Sequence, residues 1–144
     1  MRAARTAAGL TQKDLAGRLG IAAPNIAAYE SGKRALSEDL FDRILDATRP
    51  LPSTTLRAHA RQVKELAARR GADSVSVFGS VARGDDRYNS DIDLLISFRP
   101  GIDLFDVAEL TEELEVLLGT KVDIVSVGGL TSRDSHVLAE AVAL

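Results

Sequence analysis

FGSVARGDDRYNSDIDLLI, the segment from Phe78 to Ile96, decides how this chain is read. Its second half, Asp91-Ile92-Asp93-Leu94-Leu95-Ile96, sets carboxylates against apolar residues and then runs apolar, the pattern of a β-strand. Successive strand side chains point to opposite faces, so Asp91 and Asp93 emerge side by side while Ile92 and Leu94 enter a core. Two carboxylates on one face repel each other. A hard divalent cation relieves that repulsion, and Mg²⁺ is usually held by one or two carboxylates plus the phosphates of a substrate. The first half offers the phosphate side of such a site. Val75, Val77 and Phe78 predict a short strand, and Gly79-Ser80 predicts a sharp turn into a helix. A helix starting there presents unpaired N–H groups and the positive end of its dipole, which suit a phosphate, and the Ser80 hydroxyl adds a hydrogen bond. Gly84 to Asn89 is a polar turn that brings the chain back to the strand bearing Asp91.

A third carboxylate stands in Lys121-Val122-Asp123-Ile124-Val125, where the same alternation sets Asp123 against Val122 and Ile124. If that strand lies beside the first, three carboxylates converge. Such a group can hold two metal ions, and Asp123 can accept the proton of an attacking hydroxyl.

Gly79-Ser80-Val81-Ala82-Arg83-Gly84, then Ser90-Asp91-Ile92-Asp93-Leu94, then Asp123, resemble the minimal nucleotidyltransferases of the polymerase β superfamily, over roughly residues 54–144. The resemblance implies that Gly79 and Ser80 bind a nucleoside triphosphate and that Asp91 and Asp93 bind Mg²⁺. Asp123 would complete the metal site and assist the incoming hydroxyl. Arg83 and Gly84 match the extended motif of the small prokaryotic antitoxin-type members, with Arg83 contacting either phosphate or the modified partner.

The other end of the chain carries a second constellation. Thr11 with Asp14 three residues on is a capping-box-like helix start, and Leu15 and Leu19 form an apolar stripe that Gly20 ends. Pro24 suits the first turn of a third helix, Ile26 and Tyr29 supply its buried face and Gly32 terminates it. Ser37 caps a fourth helix with Leu40, Phe41, Ile44 and Leu45 turned inward. Two short helices joined by a tight turn make a helix-turn-helix. The order and spacing resemble the Cro/repressor (Xre-type) family across about 1–47, in which the third helix enters the DNA major groove. The matching positions are Gln12 for a phosphate and Ala23, Asn25 and Ala28 for base-facing sites, with Lys33 and Arg34 holding phosphate at the helix end. Alanine at 22, 23, 27 and 28 departs from the usual polar pattern and leaves hydrogen-bond readout mainly to Asn25, so the alternative to DNA binding is a helical module kept for dimerisation or partner contact.

Pro50-Leu51-Pro52-Ser53 marks a seam between a helix-turn-helix domain over 1–50 and a nucleotidyltransferase domain over 54–144. The expected class is α+β: an all-α domain followed by a small mixed sheet flanked by helices. Residues 1–50 hold eight Lys/Arg against six Asp/Glu, net +2, and residues 51–144 hold ten against fifteen, net −5. So weak a positive balance implies that DNA affinity needs a dimer or larger assembly. The absence of cysteine excludes disulfides and thiolate zinc sites. With no apolar run of transmembrane length and no signal peptide, the expected location is the cytoplasm, with no membrane partner.

Thr54 to Arg70 and Leu104 to Leu118 predict helices, the latter capped by Asp103 with Leu110, Leu114, Leu117 and Leu118 at core spacing; a last amphipathic helix spans Thr131 to Leu144. Glu109, Glu112, Glu113 and Glu115 read as a solvated face, Asp85, Asp86 and Asp106 as solvated turn or helix-start residues, and His59 and His136 as bystanders.

Together the two resemblances imply the antitoxin of a prokaryotic toxin–antitoxin pair. It would transfer AMP from ATP, with Mg²⁺, to a hydroxyl of its cognate toxin, in that family usually the tyrosine of a HEPN-type ribonuclease. It would also bind operator DNA to repress the shared operon, as an oligomer or a toxin–antitoxin hetero-oligomer. Two alternatives stand beside it: a non-enzymatic repressor that neutralises its toxin by stoichiometric binding, and a small-molecule nucleotidyltransferase.

Overall fold

The computed structural model describes residues 1–144, which divide into two compact units, Met1–Pro50 and Leu51–Leu144. The first holds helices α1 (Arg2–Ala7), α2 (Gln12–Leu19), α3 (Ala23–Glu30) and α4 (Glu38–Ala47). A full capping box starts α2: the Thr11 hydroxyl accepts the Asp14 N–H at 3.1 Å while the Asp14 carboxylate accepts the Thr11 N–H at 2.9 Å. Gly20, at φ 67°, ends it in the left-handed region. Leu15, Ala16 and Leu19 of α2 bury against Ile26 of α3 and Ile44 and Ala47 of α4. Ser37 caps α4 as expected, accepting the Leu40 N–H. The expected inward face of α4 is only partly correct. Ile44 and Ala47, three apart, take the core positions, which turns Phe41 and Leu45 to the flanks, where they are 42% and 44% exposed.

The second unit is a four-stranded mixed sheet in the order β3-β2-β1-β4, from strands β1 (Ala72–Phe78), β2 (Ile92–Phe98), β3 (Val122–Ser126) and β4 (Val142–Ala143). The expected α+β class is what the structure shows. β1 and β2 pair antiparallel, β2 and β3 parallel, and β4 antiparallel to β1. Helices α5 (Pro52–Arg69) and α7 (Leu104–Leu118) pack on the sheet; the short α6 (Gly79–Arg83) and α8 (Ser135–Glu140) complete the unit. Val63, Leu110 and Leu114 from the helices and Ile92, Leu94 and Ile96 from β2 are fully buried together. By the two-residue period of a strand, Asp93 therefore lies on the sheet face opposite that core.

Two further expectations need correcting. Thr131 to Leu144 is not one helix but a 3-10 turn, six residues of α8 and the strand β4. Ala141 turns extended, at φ −64° and ψ 128°, so that Val142 and Ala143 join the free edge of β1 opposite Val77 and Ser76. The acidic face of α7 is not simply solvated. Arg70 pairs with both Glu109 and Glu113, and Glu115 accepts the N–H of Val122 at 3.1 Å, which ties the helix to the start of β3.

Candidate active site

β1 ends at Phe78, opposite Asp93 in the antiparallel register, and Gly79 follows at once. Gly79 is at φ +68°, a conformation only glycine adopts freely, and it carries no β-carbon where one would collide with Asp93 Oδ2 and stand 3.2 Å from its Cγ. The backbone of the turn thus lies directly over the Asp93 carboxylate. α6 begins here with no side-chain cap on its first N–H groups, and Gly84, at φ 76°, closes it.

Across the sheet, Asp93 stands in register with Asp123 on the parallel strand β3, so both side chains leave the same face. Asp91 precedes the first residue of β2 and is exposed, as is Asp123, whereas Asp93 is half-buried. Burial first, then the carboxylates of Asp123 and Asp91, push the Asp93 carboxyl above the usual aspartate range; Arg83 partly opposes them. No three acidic or histidine side chains converge into a ready-made cation cage. The donor set nevertheless fits a hard cation. Hydroxyl-free carboxylate oxygens are its preferred protein ligands, the repulsion on Asp93 is what a cation would relieve, and Mg²⁺ takes its remaining ligands from water and phosphate.

Arg83, at the end of α6, donates from Nε to Asp85 at 3.4 Å and from Nη1 to Glu140 of α8 at 3.0 Å. Ser80 is half-buried beside Gly79. The loop between α6 and β2 is tied to α5, where the Asp86 carboxylate accepts the Ser53 N–H at 2.8 Å, and is closed on itself where the Ser90 hydroxyl accepts the Arg87 N–H at 2.8 Å. Asp86 is therefore no free turn residue; it caps α5, whose own N-cap, Leu51, offers no side-chain acceptor. Asp106, by contrast, caps the start of α7 reciprocally with Asp103, in keeping with a helix-start role. Glu140 and Asp86 escape sequence reading because their partners lie 57 and 33 residues away.

In the first unit the positions expected to face DNA sit on or after α3. Ala23, Asn25 and Ala28 are half-buried and Lys33 and Arg34 exposed. Asn25 Oδ1 accepts from Arg34 Nη1 at 3.1 Å, and the Arg34 guanidinium lies 5.9 Å from the Tyr29 ring centre, so Arg34 is held over the end of α3. Gln12 is engaged elsewhere: its Nε2 donates to Glu30 at 2.8 Å. Glu30, whose side chain is fully buried, also accepts from Arg5 Nε at 2.7 Å and Nη2 at 3.1 Å and from Arg2 at 3.4 Å. The Arg5 hydrogen bonds above all hold its carboxyl down at about 2. Nothing in the local spacing around Glu30 signals this hub.

The polymerase β nucleotidyltransferase family model matches residues 61–142. This chain belongs to that family. A helix-turn-helix family model matches residues 1–53, so the nucleotidyltransferase carries a second, DNA-binding type of module. It is 40% identical over 77 residues to the protein adenylyltransferase MntA of Thermococcus cleftensis, spanning 54% of this chain and 75% of that one. A solved structure assigned as a minimal nucleotidyltransferase is 53% identical, with a TM-score of 0.59 over 64% of this chain and 95% of the other. A toxin–antitoxin structure with AMP-PNP is 22% identical over 58% of this chain and 69% of its own, at a TM-score of 0.53, and shares the fold. No helix of the nucleotidyltransferase is long and apolar enough to cross a membrane.

Proposed function

We propose that this nucleotidyltransferase is an antitoxin that transfers AMP from ATP to a hydroxyl of its cognate toxin and represses its own operon through the helix-turn-helix. The observation that carries the transfer reading is the seat of Asp93, in register with Asp123 and directly beneath the turn at Gly79. The name of the 40%-identical relative, a protein adenylyltransferase, supports AMP as the group transferred and protein as the acceptor.

In this reading Gly79 and Ser80 receive the triphosphate at the start of α6, with Arg83 beside them. Asp91 and Asp93, with Asp123, would hold Mg²⁺, which when bound neutralises charge developing on the phosphates. The acceptor oxygen attacks the α-phosphorus, the new O–P bond forms as the bond to pyrophosphate breaks, and the hydroxyl proton passes to Asp123, the exposed carboxylate of the pair. From the family resemblance we infer a tyrosine of a HEPN-type ribonuclease as acceptor. Asn25, Ala23 and Ala28 would meet base edges, and Lys33 and Arg34 the phosphates, of the operator.

The deciding experiment is incubation of the chain with its partner toxin, ATP and Mg²⁺, followed by intact-mass measurement. An AMP-sized gain on the toxin, absent with Asp93→Asn, is the expected result. A stable complex with no mass gain would instead establish neutralisation by stoichiometric binding, and transfer to a small molecule with none to the toxin would establish the third reading.

A further inference from the structure

Arg83 is clamped from two sides. Its Nε gives its single hydrogen to Asp85, and Nη1 gives one of two to Glu140. A guanidinium has five N–H donors in a rigid plane, so three remain, one on Nη1 and two on Nη2. Glu140 is itself well placed to be the fixed side of this clamp. It ends α8, three residues after the buried Val137 and two before Val142, which pairs with Val77 of β1; the Leu144 N–H then donates to the Val75 carbonyl at 3.1 Å. The strand that follows Glu140 is thus bonded to the strand that leads into Gly79.

We propose that Glu140 is a positioning residue of the nucleotide site: with Asp85 it holds the Arg83 guanidinium in one orientation, three donors open, for a phosphate of the nucleotide. The inference rests on the reading of Arg83 as phosphate-binding. Two effects of Glu140 oppose each other. Its carboxylate repels a phosphate, but the side chains of Arg83 and Glu140 are 48% and 35% exposed, so solvent screens that repulsion. Solvent weakens the Arg83–Glu140 ion pair as well. The hydrogen bond from Nη1 still fixes the direction of the guanidinium, at 3.0 Å and short range, whereas the repulsion acts over a longer distance through water, and an arginine ordered before the ligand arrives favours binding. Orientation is therefore the larger effect.

The test is the affinity of the full-length chain for AMP-PNP with Mg²⁺, by calorimetry, together with KM for ATP and kcat. Glu140→Ala should weaken binding by about three- to tenfold, the order expected from losing one pre-ordered side chain, and raise KM with kcat unchanged. Glu140→Gln keeps an acceptor oxygen and should stay close to the parent. In an Arg83→Ala background, Glu140→Ala should have no further effect. Unchanged or tighter binding by Glu140→Ala overturns the proposal, and so does an equal loss in the Arg83→Ala background, which would place the effect in the chain's last strand. If Arg83→Ala itself leaves AMP-PNP affinity intact, the phosphate reading of Arg83 fails first and Glu140 has nothing to position.

Discussion

Gly79 and Asp93 make one device, and each predicts a different consequence of being changed. Gly79→Ala meets two obstacles, a left-handed backbone at φ +68° and a β-carbon driven into Asp93 Oδ2. The backbone conformation alone costs about 1–2 kcal/mol; urea unfolding of the second unit should show at least that loss, and AMP-PNP affinity should fall with it. Asp93→Asn works the other way on stability. The carboxyl is held above its usual range by burial and by Asp123 and Asp91, so its ionised form is disfavoured in the folded state. A group whose folded pKa is raised contributes stability at low pH that is lost as the pH rises through that pKa. Removing its charge should therefore raise the melting temperature at pH 7, while AMP transfer drops by about a hundredfold or more, the scale set by loss of one preorganised charged group. A variant that lost both stability and transfer would show that Asp93 is held by hydrogen bonds instead of merely confined.

At the scale of elements, the starts of α2, α4 and α7 were legible because each cap lies within three residues of its partner, whereas the equally local Thr131 and Asp134 box starts only a 3-10 turn and not the long helix expected there. Thr11 with Asp14 and Asp103 with Asp106 both form the reciprocal bonds that their spacing announces. The Asp-x-Asp alternation likewise placed Ile92 and Leu94 in the core and Asp93 opposite. What escaped the sequence was set by distance along the chain. Asp86 caps α5 from 33 residues downstream, and two residues of β4 are too few to show a period. Asp86→Ala should accordingly cost about 1 kcal/mol, the usual loss for an N-cap, and Asp86→Asn, which keeps an acceptor, much less. Glu30 escaped for the same reason: Arg5 and Gln12 reach it from 25 and 18 residues away, joining α1, α2 and α3 at one buried carboxylate. Its pKa is lowered from 4.5 to about 2, so its contribution is complete above the unfolded value and lost as the pH falls through the folded one. Amide NMR across an acid titration should show residues 1–50 losing stability between about pH 4.5 and about pH 2, and Glu30→Gln should flatten that dependence.

Over the whole molecule, charge divides as the modules do, net +2 on residues 1–50 and −5 on 51–144. That division bears on how the helix-turn-helix can hold DNA. Non-specific affinity comes from cations that displace counterions, and log Kobs falls with log salt by about 0.9 per phosphate neutralised. Gln12 is committed to Glu30, and Arg34 is held by Asn25 and Tyr29 at the end of α3, which leaves Lys33 and Arg34 as the phosphate contacts that the proposed docking would use. Two contacts per chain give a slope of about −2, or about −4 for two copies on paired half-sites. Titrating operator binding against salt by fluorescence anisotropy measures this directly. Lys33→Ala should make the slope shallower by about one per bound copy without changing which sequence is preferred, because a phosphate contact carries no base information. Asn25→Ala should instead relax sequence preference and, because it also releases the Arg34 guanidinium, change the slope by no more than the one contact per copy that Arg34 makes. A parent slope far steeper than −4 would mean that cations beyond Lys33 and Arg34 reach the backbone, against the two-contact docking.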